Sequence, residues 1–396
     1  NIKEFNINKF KTTVDEINKF FKKSVIVPNS PIVFPRIIGG LSFNKEKSPN
    51  DNVWSKFAKN RFIIPECLGT MTEDGAWLTI STLINSKESK KNIYTRFKKL
   101  CDYYKNRLPV ILQPLKYIKI KEYKNTPDKE TYEKMVSNII SKIRPGKLEK
   151  VVLSRSQHIK IDKNFSPISA VSILRNIYPN CTNFFFSFPK EGIFLGSSPE
   201  KLIELKGKQL YTEALAGTIA RGKNMEEDML LGQTLLSSSK EHHEHNFVVD
   251  QILRKLKPIS NTIDYQKLPD LFRLKNVQHL KTEIVANVKL KKHILDYIHL
   301  LHPTPAVAGT PTDKALEIIN DIEDHDRGWY SGPIGWFDKE GNGEFYVALR
   351  SALILDDEAH VFVGGGIVAE SIPQNEWDET ELKLQPILDA LSLGQL

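Results

Sequence analysis

Hydrophobic residues along this chain recur at two spacings, and the spacing changes from block to block. From Phe10 to Phe21 they fall on one helical face, and Ala76-Trp77-Leu78-Thr79-Ile80 then reads as a strand. Asn125 to Asp128 is a polar turn, and Thr131 to Ile143 returns to an amphipathic helical period. Val151-Val152-Leu153 opens a strand. Ser166-Pro167 is a helix start, with serine as N-cap and proline in the first turn, leading into Ala170 to Tyr178. Short runs at Phe184-Phe185-Phe186, Ile193-Phe194-Leu195 and Lys201 to Leu205 read as strands. Met225 to Leu256 reads as one long helical stretch, and Thr312 caps a helix running to about Glu323. Asp338 to Gly343 is a turn between two strands, residues 344–355 and 360–368 are β-rich, and Gln374 to Leu391 closes the chain as a helix. Successive strands are joined by short turns, so the sheets should be mostly antiparallel. The expected class is α+β, with large, mostly antiparallel β layers flanked by helices. A weak subdivision falls near 125–130, making 1–125 an N-terminal part of the same fold and 126–396 the region that carries the chemistry.

Composition changes this picture little. With 396 residues, 40% of them hydrophobic, the chain can bury a core without disulfides. Cys67, Cys101 and Cys181 are odd in number and lack CxxC spacing, which argues against a disulfide framework or a zinc knuckle and favours a reducing, cytoplasmic setting. No apolar run approaches the ~20 residues of a membrane helix. Asn1 to Lys23 mixes charges around no apolar centre and does not read as a secretory signal. The net charge of +8 raises the possibility of nucleic-acid binding, but the lysines are dispersed among Asp, Glu and Asn, as on a solvated surface.

Candidate chemistry sits in three places. Glu241 and Glu244 are three apart in a helical stretch, as are Glu376 and Glu379, so each pair shares a helix face. Facing each other, the pairs would suit a hard divalent cation such as Mg²⁺, which takes one or two carboxylates and keeps waters and substrate oxygens. Taken alone, each pair is an ordinary solvated face, with Glu379 and Lys383 as a surface ion pair. The run Glu241-His242-His243-Glu244-His245 does not make a zincin motif, because Phe247 stands where the second histidine must fall. Gly364-Gly365-Gly366-Ile367-Val368-Ala369 satisfies GxGxxA formally, yet too little chain follows for a dinucleotide fold; a tight turn or a carboxylate-binding loop remain open. Lys150 stands directly before an apolar strand, where a lysine can serve as a base or simply snorkel. Glu200 follows Ser197-Ser198-Pro199 as a partly buried acid or a turn residue. His279 is flanked by apolar residues, the usual setting of a satisfied core histidine.

These motifs belong together in one known pattern. The blocks LEKVVLSR (148–155), GSSPEKLIEL (196–205), TEALAGTIARG (212–222), SSSKEHHEHNFVVDQI (237–252), VQHL (277–280), LHPTPAVAGTP (301–311), DRGWYSGPIGW (326–336), ALRSALI (348–354), VGGGIVAES (363–371) and EWDETELKL (376–384) resemble the chorismate-utilising enzymes. That family comprises isochorismate synthases, salicylate synthases and the chorismate-binding components of anthranilate and aminodeoxychorismate synthases. The resemblance is strong over about 145–396 and loose before 125. It implies an anthranilate synthase component I-like fold, with Lys150 as the base that activates water and Glu200 as the general acid. It implies Glu244 and Glu379 as Mg²⁺ ligands, with Glu241 and Glu376 nearby through bound waters. Gly217, His279, Thr304, Ala306, Arg350, Gly364, Gly365 and Lys383 are implied as substrate contacts. Glu241-His242 departs from the Asp and Arg that many relatives carry, which leaves the outer role of Glu241 open.

The implied reaction adds water at ring position 2 while hydroxide leaves position 4 and the diene shifts. A base and an acid on opposite sides address a poor nucleophile and a poor leaving group. The roles require a neutral amine at Lys150 and a protonated carboxyl at Glu200. Lys150 stands where the amine-adding members usually carry Gln, which favours hydroxyl transfer. Ala306 and Val307 stand where salicylate synthases usually read HPTVTASG, which favours stopping at isochorismate; salicylate synthase is the alternative. A catalytically dead binding protein would need neither Lys150 nor Glu200. The expected partner is chorismate alone, with no nucleic acid, membrane or glutamine amidotransferase subunit, and the resemblance implies a monomer. Menaquinone or phylloquinone, a catechol siderophore and salicylate all begin from isochorismate, and the sequence does not choose among them.

Overall fold

The computed structural model describes residues 3–5, 10–24, 34–43, 53–85, 87–106, 122–143, 146, 148–161 and 165–392. Every strand pairing among these residues is antiparallel. They form a ten-stranded sheet, a seven-stranded sheet and a two-stranded hairpin, Cys67–Thr72 with Gly75–Ile80. The α+β reading is thus correct. Ile37–Leu41 pairs with Pro333–Phe337, so strands from the N-terminal part complete a sheet whose other strands run from Lys201–Lys206 to Gly343–Val347.

The two sheets share a core. Val151, Leu153 and Ile367 of the smaller sheet pack in one cluster with Leu202, Ala214 and Ile284 of the larger, and with Val248 and Ile252 of the helix Ser239–Leu256. The chain passes between the sheets at two short corners. Gly192–Ser198 lies in the seven-stranded sheet and Lys201–Lys206 in the ten-stranded one, so Pro199 and Glu200 form one corner. Gly343–Val347 and Ser351–Leu355 make the return, with Ala348, Leu349 and Arg350 between them. The corners are cross-linked: Ser197 N–H donates to the Arg350 carbonyl at 3.0 Å, and Val347 N–H to the Glu200 carbonyl at 3.1 Å.

Local differences from the sequence expectation have local causes. Met225 to Leu256 is two helices, Met225–Ser237 and Ser239–Leu256. Ser238 is extended and its hydroxyl accepts from Glu241 N–H, capping the second helix and placing Glu241 in its first turn. Asn125 belongs to a strand, Tyr123–Thr126, that adds to Lys150–Lys160. Its side-chain oxygen accepts from Arg155 and Gln157 at 3.0 Å each, so a polar tetrapeptide is held in the sheet by side-chain bonds. The helix after residue 310 begins at Thr312 itself, with Pro311 in the capping position. Gly364 to Gly366 are the end of a strand, Glu358–Ile367, and neither a turn nor a loop.

Candidate active site

A cleft of about 950 Å³, counted out to its open mouth, lies where the two corners meet the helices Ser239–Leu256 and Pro373–Ser392. Lys150, Glu200, Gly217, Glu241, Glu244, His279, Ala306, Arg350, Gly364, Glu376, Glu379 and Lys383 all line it. Residues separated by more than two hundred positions in the chain thus share one space. Thr304 lies behind the wall, where its hydroxyl donates to Glu200 Oε1 at 3.4 Å. Gly365 is not a lining residue. Alternation along the strand turns it towards Glu376, Tyr132 and Thr380, each 3.6–3.7 Å from where a Cβ would stand.

Lys150 opens the strand Lys150–Lys160 and is 2% exposed. Its Nζ donates to Glu244 Oε1 at 2.6 Å. Burial alone would raise the Glu244 carboxyl, but Lys150, Lys383 and Lys240 outweigh it and hold it below the usual range. Gly366, which the sequence reading did not single out, makes the space for this lysine. A Cβ there would stand 2.5 Å from Lys150 Cε and 3.1 Å from Glu244 Oε1. Only its spacing of two from Gly364 hinted at a shared face.

Glu200 sits at the first corner, 4% exposed. Burial, and then the charge of Glu213, push its carboxyl up to about 8, against the lowering effects of Thr304, Lys150 and Lys383. At neutral pH it therefore carries its proton. Glu213 is held behind it, accepting from Lys201 N–H at 2.7 Å and pairing with Lys281 at 2.8 Å. Nothing in the sequence separates Glu213 from other strand glutamates; only the register of Lys201–Lys206 against Gln209–Ala220 brings it there.

Arg350, at the second corner, has φ of +47°, a left-handed backbone that costs a non-glycine residue about 1 kcal/mol. Its guanidinium is buried. Nη2 donates to His279 Nε2 at 2.9 Å, which places the imidazole proton on Nδ1, 3.0 Å from Thr218 Oγ1. Burial, Arg350 and Lys383 together hold His279 well below the usual imidazole range, so it is neutral. Among the described residues, Nη1 is buried without a hydrogen-bond partner. The bulge at Gly217, φ +79°, brings the strand close to Glu241, whose Oε2 accepts from Thr218 N–H at 3.1 Å.

The acidic pairs do face each other across the cleft. Burial and then Glu244 raise Glu241, and burial and then Glu379 push Glu376 up to about 7. Those neighbours share a helix, and across the cleft Glu379 adds to the rise of Glu241 and Glu244 to that of Glu376 as the smallest contributions, so carboxylates of the two helices feel each other's charge, an electrostatic setting that a divalent cation relieves. The oxygens are not drawn into a cage: Glu244 is held by Lys150, and Glu379 by Lys383 at 2.5 Å. Lys383 is therefore part of the site wall, beside the Gly364 carbonyl at 3.4 Å, and not one half of a surface pair. An open set of hard oxygens fits Mg²⁺, which needs few protein ligands. By contrast, His245 is a core residue, its ring between the Ala216 carbonyl at 3.3 Å and Thr282 at 2.8 Å. Arg327 and Tyr330 complete the floor, and Arg327 ties the site together by donating to the Val307 and Val152 carbonyls at 2.8 and 2.7 Å.

A fold of two antiparallel sheets with this cleft at their corners is that of the chorismate-binding enzymes, whose family model matches residues 1–392. The chain belongs to that family. The isochorismate synthase MenF of Bacillus subtilis is 35% identical over 366 residues, 91% of this chain and 75% of that protein. The salicylate biosynthesis isochorismate synthase of Pseudomonas aeruginosa is 36% identical over 364 residues, 90% and 74% of the two. Among solved structures, the menaquinone-specific isochorismate synthase MenF of Escherichia coli superimposes with a TM-score of 0.78 at 26% identity, covering 98% of this chain and 84% of that one. Anthranilate synthase component I of Streptococcus pneumoniae has the same fold, with a TM-score of 0.79 at 23% identity over 95% and 85%. Among the described residues, no helix is long and apolar enough to cross a membrane.

Proposed function

We propose that this chain is an isochorismate synthase that converts chorismate to isochorismate with Mg²⁺. The observation that carries the reading is the pairing of a buried amine at Lys150 with a buried, protonated carboxyl at Glu200 in one cleft. Lys150 accepts a proton from the water that attacks ring carbon 2. Glu200 gives its proton to the hydroxyl leaving carbon 4, the diene shifts between them, and the product is an isomer of the substrate. Each proton transfer of this kind contributes roughly 10²–10⁴-fold. An amine that holds its proton for Glu244 cannot take one from water, so the base role requires Glu244 to be engaged elsewhere.

Glu244 and Glu379 are the residues that would hold Mg²⁺, with Glu241 and Glu376 beside them through waters. The ion supplies charge neutralisation for a substrate carboxylate. Arg350 offers its unpartnered Nη1 to the other carboxylate, in the planar geometry that suits it. His279 and Thr218 fix the guanidinium from behind. Ala306 and Val307 present apolar surface to the cleft and no additional proton donor. The test is a product assay on chorismate with and without Mg²⁺, resolved by chromatography. Isochorismate as the sole metal-dependent product is expected. Salicylate would move the chain to the alternative branch, and unchanged chorismate would end the proposal.

A further inference from the structure

Far from the cleft, three potential ligands converge on the outer end of the seven-stranded sheet. His158 and His360 are directly opposite residues of neighbouring strands, Lys150–Lys160 and Glu358–Ile367. Directly opposed residues point to the same face, and Glu358, two before His360, points there too. The two imidazoles lie 4.8 Å apart, 9° from parallel. Glu358 Oε2 is 3.4 Å from His158 Nε2, and one ligand atom from each of the three residues lies within 4.8 Å of the others. Among the described residues this is the one such group of histidine, cysteine and acidic side chains.

The setting is that of a partly shielded site. Across the sheet, the row runs from Lys124, exposed, through His158 and His360, half-buried, to Leu353, fully buried. One side is apolar and the other opens to water. Among the described residues, His158 Nε2 is buried without a hydrogen-bonding partner, although a carboxylate oxygen stands 3.4 Å away. Two imidazoles and a carboxylate with a wet fourth position are the donor set of an open, tetrahedral zinc site. Imidazole donors suit Zn²⁺, Ni²⁺ and Cu²⁺ and not Mg²⁺, which prefers oxygen. The ligand atoms lie within 4.8 Å of one another, and because imidazole lone pairs lie in the ring planes, rings stacked 9° from parallel share one ion only once at least one half-buried imidazole turns out of the stack.

We infer that His158, Glu358 and His360 form a second cation site, selective for a borderline transition dication such as Zn²⁺. It would pin together two antiparallel strands whose far ends carry Lys150, eight residues before His158, and Gly366, six residues after His360. The site is independent of the isomerase reading, since none of its residues lines the cleft.

The test uses the whole protein, freed of metal and then held in saturating Mg²⁺ so that the acidic cleft is occupied. Calorimetric titration with Zn²⁺ should show one saturable site per chain that Mg²⁺ does not displace. His360→Gln should weaken it by about tenfold or more, since even outer partners of metal ligands typically contribute 10–100-fold. Glu358→Gln, a change at an exposed side chain, should weaken it in the same direction and keeps the test available if the histidine variant folds poorly. Chorismate turnover of both variants should match the parent. Absence of saturable binding, or an affinity unchanged in either variant, overturns the site. So does loss of binding only when His242 and His243 are replaced, because the zinc would then sit on that helix.

Discussion

A Cβ on residue 366 would stand 2.5 Å from Cε of Lys150, so Gly366 is the space into which the lysine extends. The obstructing atoms belong to the end of a flexible side chain, so an added methyl would displace the amine and leave the sheet intact. Gly366→Ala should therefore fold with a melting temperature near that of the parent and lose activity. Misplacing a reacting group by about 1 Å costs on the order of 10²-fold. Steady-state rates beside a thermal melt check this; a variant as active as the parent would show that the position of Lys150 Nζ does not matter.

Lys150→Ala removes the base but not the groups that bind substrate. Turnover should fall to background while Mg²⁺-dependent chorismate binding, followed by calorimetry, persists. The deletion also leaves Glu244 without its 2.6 Å partner in a buried setting, which costs some stability. Turnover close to that of the parent would remove Lys150 from the mechanism.

Glu200 links the chemistry to stability. Its folded-state carboxyl titrates near 8, well above the ordinary 4.5. Between those values the unfolded chain has released the proton and the folded chain still holds it. Stability associated with Glu200 is thus fully present below about pH 4.5 and is lost as pH rises through about 8. Glu200→Gln has no such dependence. It should be at least as stable as the parent at neutral pH, by an advantage that grows towards pH 8, and slower by ~10² or more. In the parent, the acid role predicts a rate that declines above about pH 8 as the proton is lost. Melts and rates across pH 5–9 measure both; a variant as fast as the parent, or less stable at every pH, contradicts the assignment.

How much of this was legible in the sequence depends on the range of the interaction involved. The i, i+3 spacing of Glu241 with Glu244, and of Glu376 with Glu379, put each pair on one helix face because helix geometry is local. That the two faces meet is a property of the sheets, and periodicity alone could not supply it; the ordered blocks resembling the family did. The corner positions of Glu200 and Arg350 follow from strands changing sheets, which no short window records. Ser238 was read through because a cap inside a helical period looks like any other polar residue. Gly365 was grouped with its neighbours because three consecutive glycines carry no mark of which face each occupies, and Glu213 had no local signature at all.

The carboxylates that would hold Mg²⁺ differ in what else depends on them, and this separates their variants. Glu379 is paired with Lys383, a side chain 20% exposed that has the Gly364 carbonyl as a second partner. Glu379→Gln should raise the Mg²⁺ concentration needed for half-maximal rate sharply, with little change in the melt. Glu244 is the partner of Lys150, whose side chain is 3% exposed. Removing one member of a buried pair typically destabilises by about 3–5 kcal/mol because the other charge is left uncompensated. Glu244→Gln keeps an oxygen for Lys150 Nζ to donate to, so its cost should be smaller than that of Glu244→Ala, while both raise the metal requirement. Activity titrated against Mg²⁺ at saturating chorismate, beside melts of the metal-free proteins, gives the comparison. If all three variants titrate like the parent, these carboxylates are not the ligands. If Glu244→Ala alone shifts, and only as far as its melt falls, then Glu244 serves the lysine and the cation is held elsewhere.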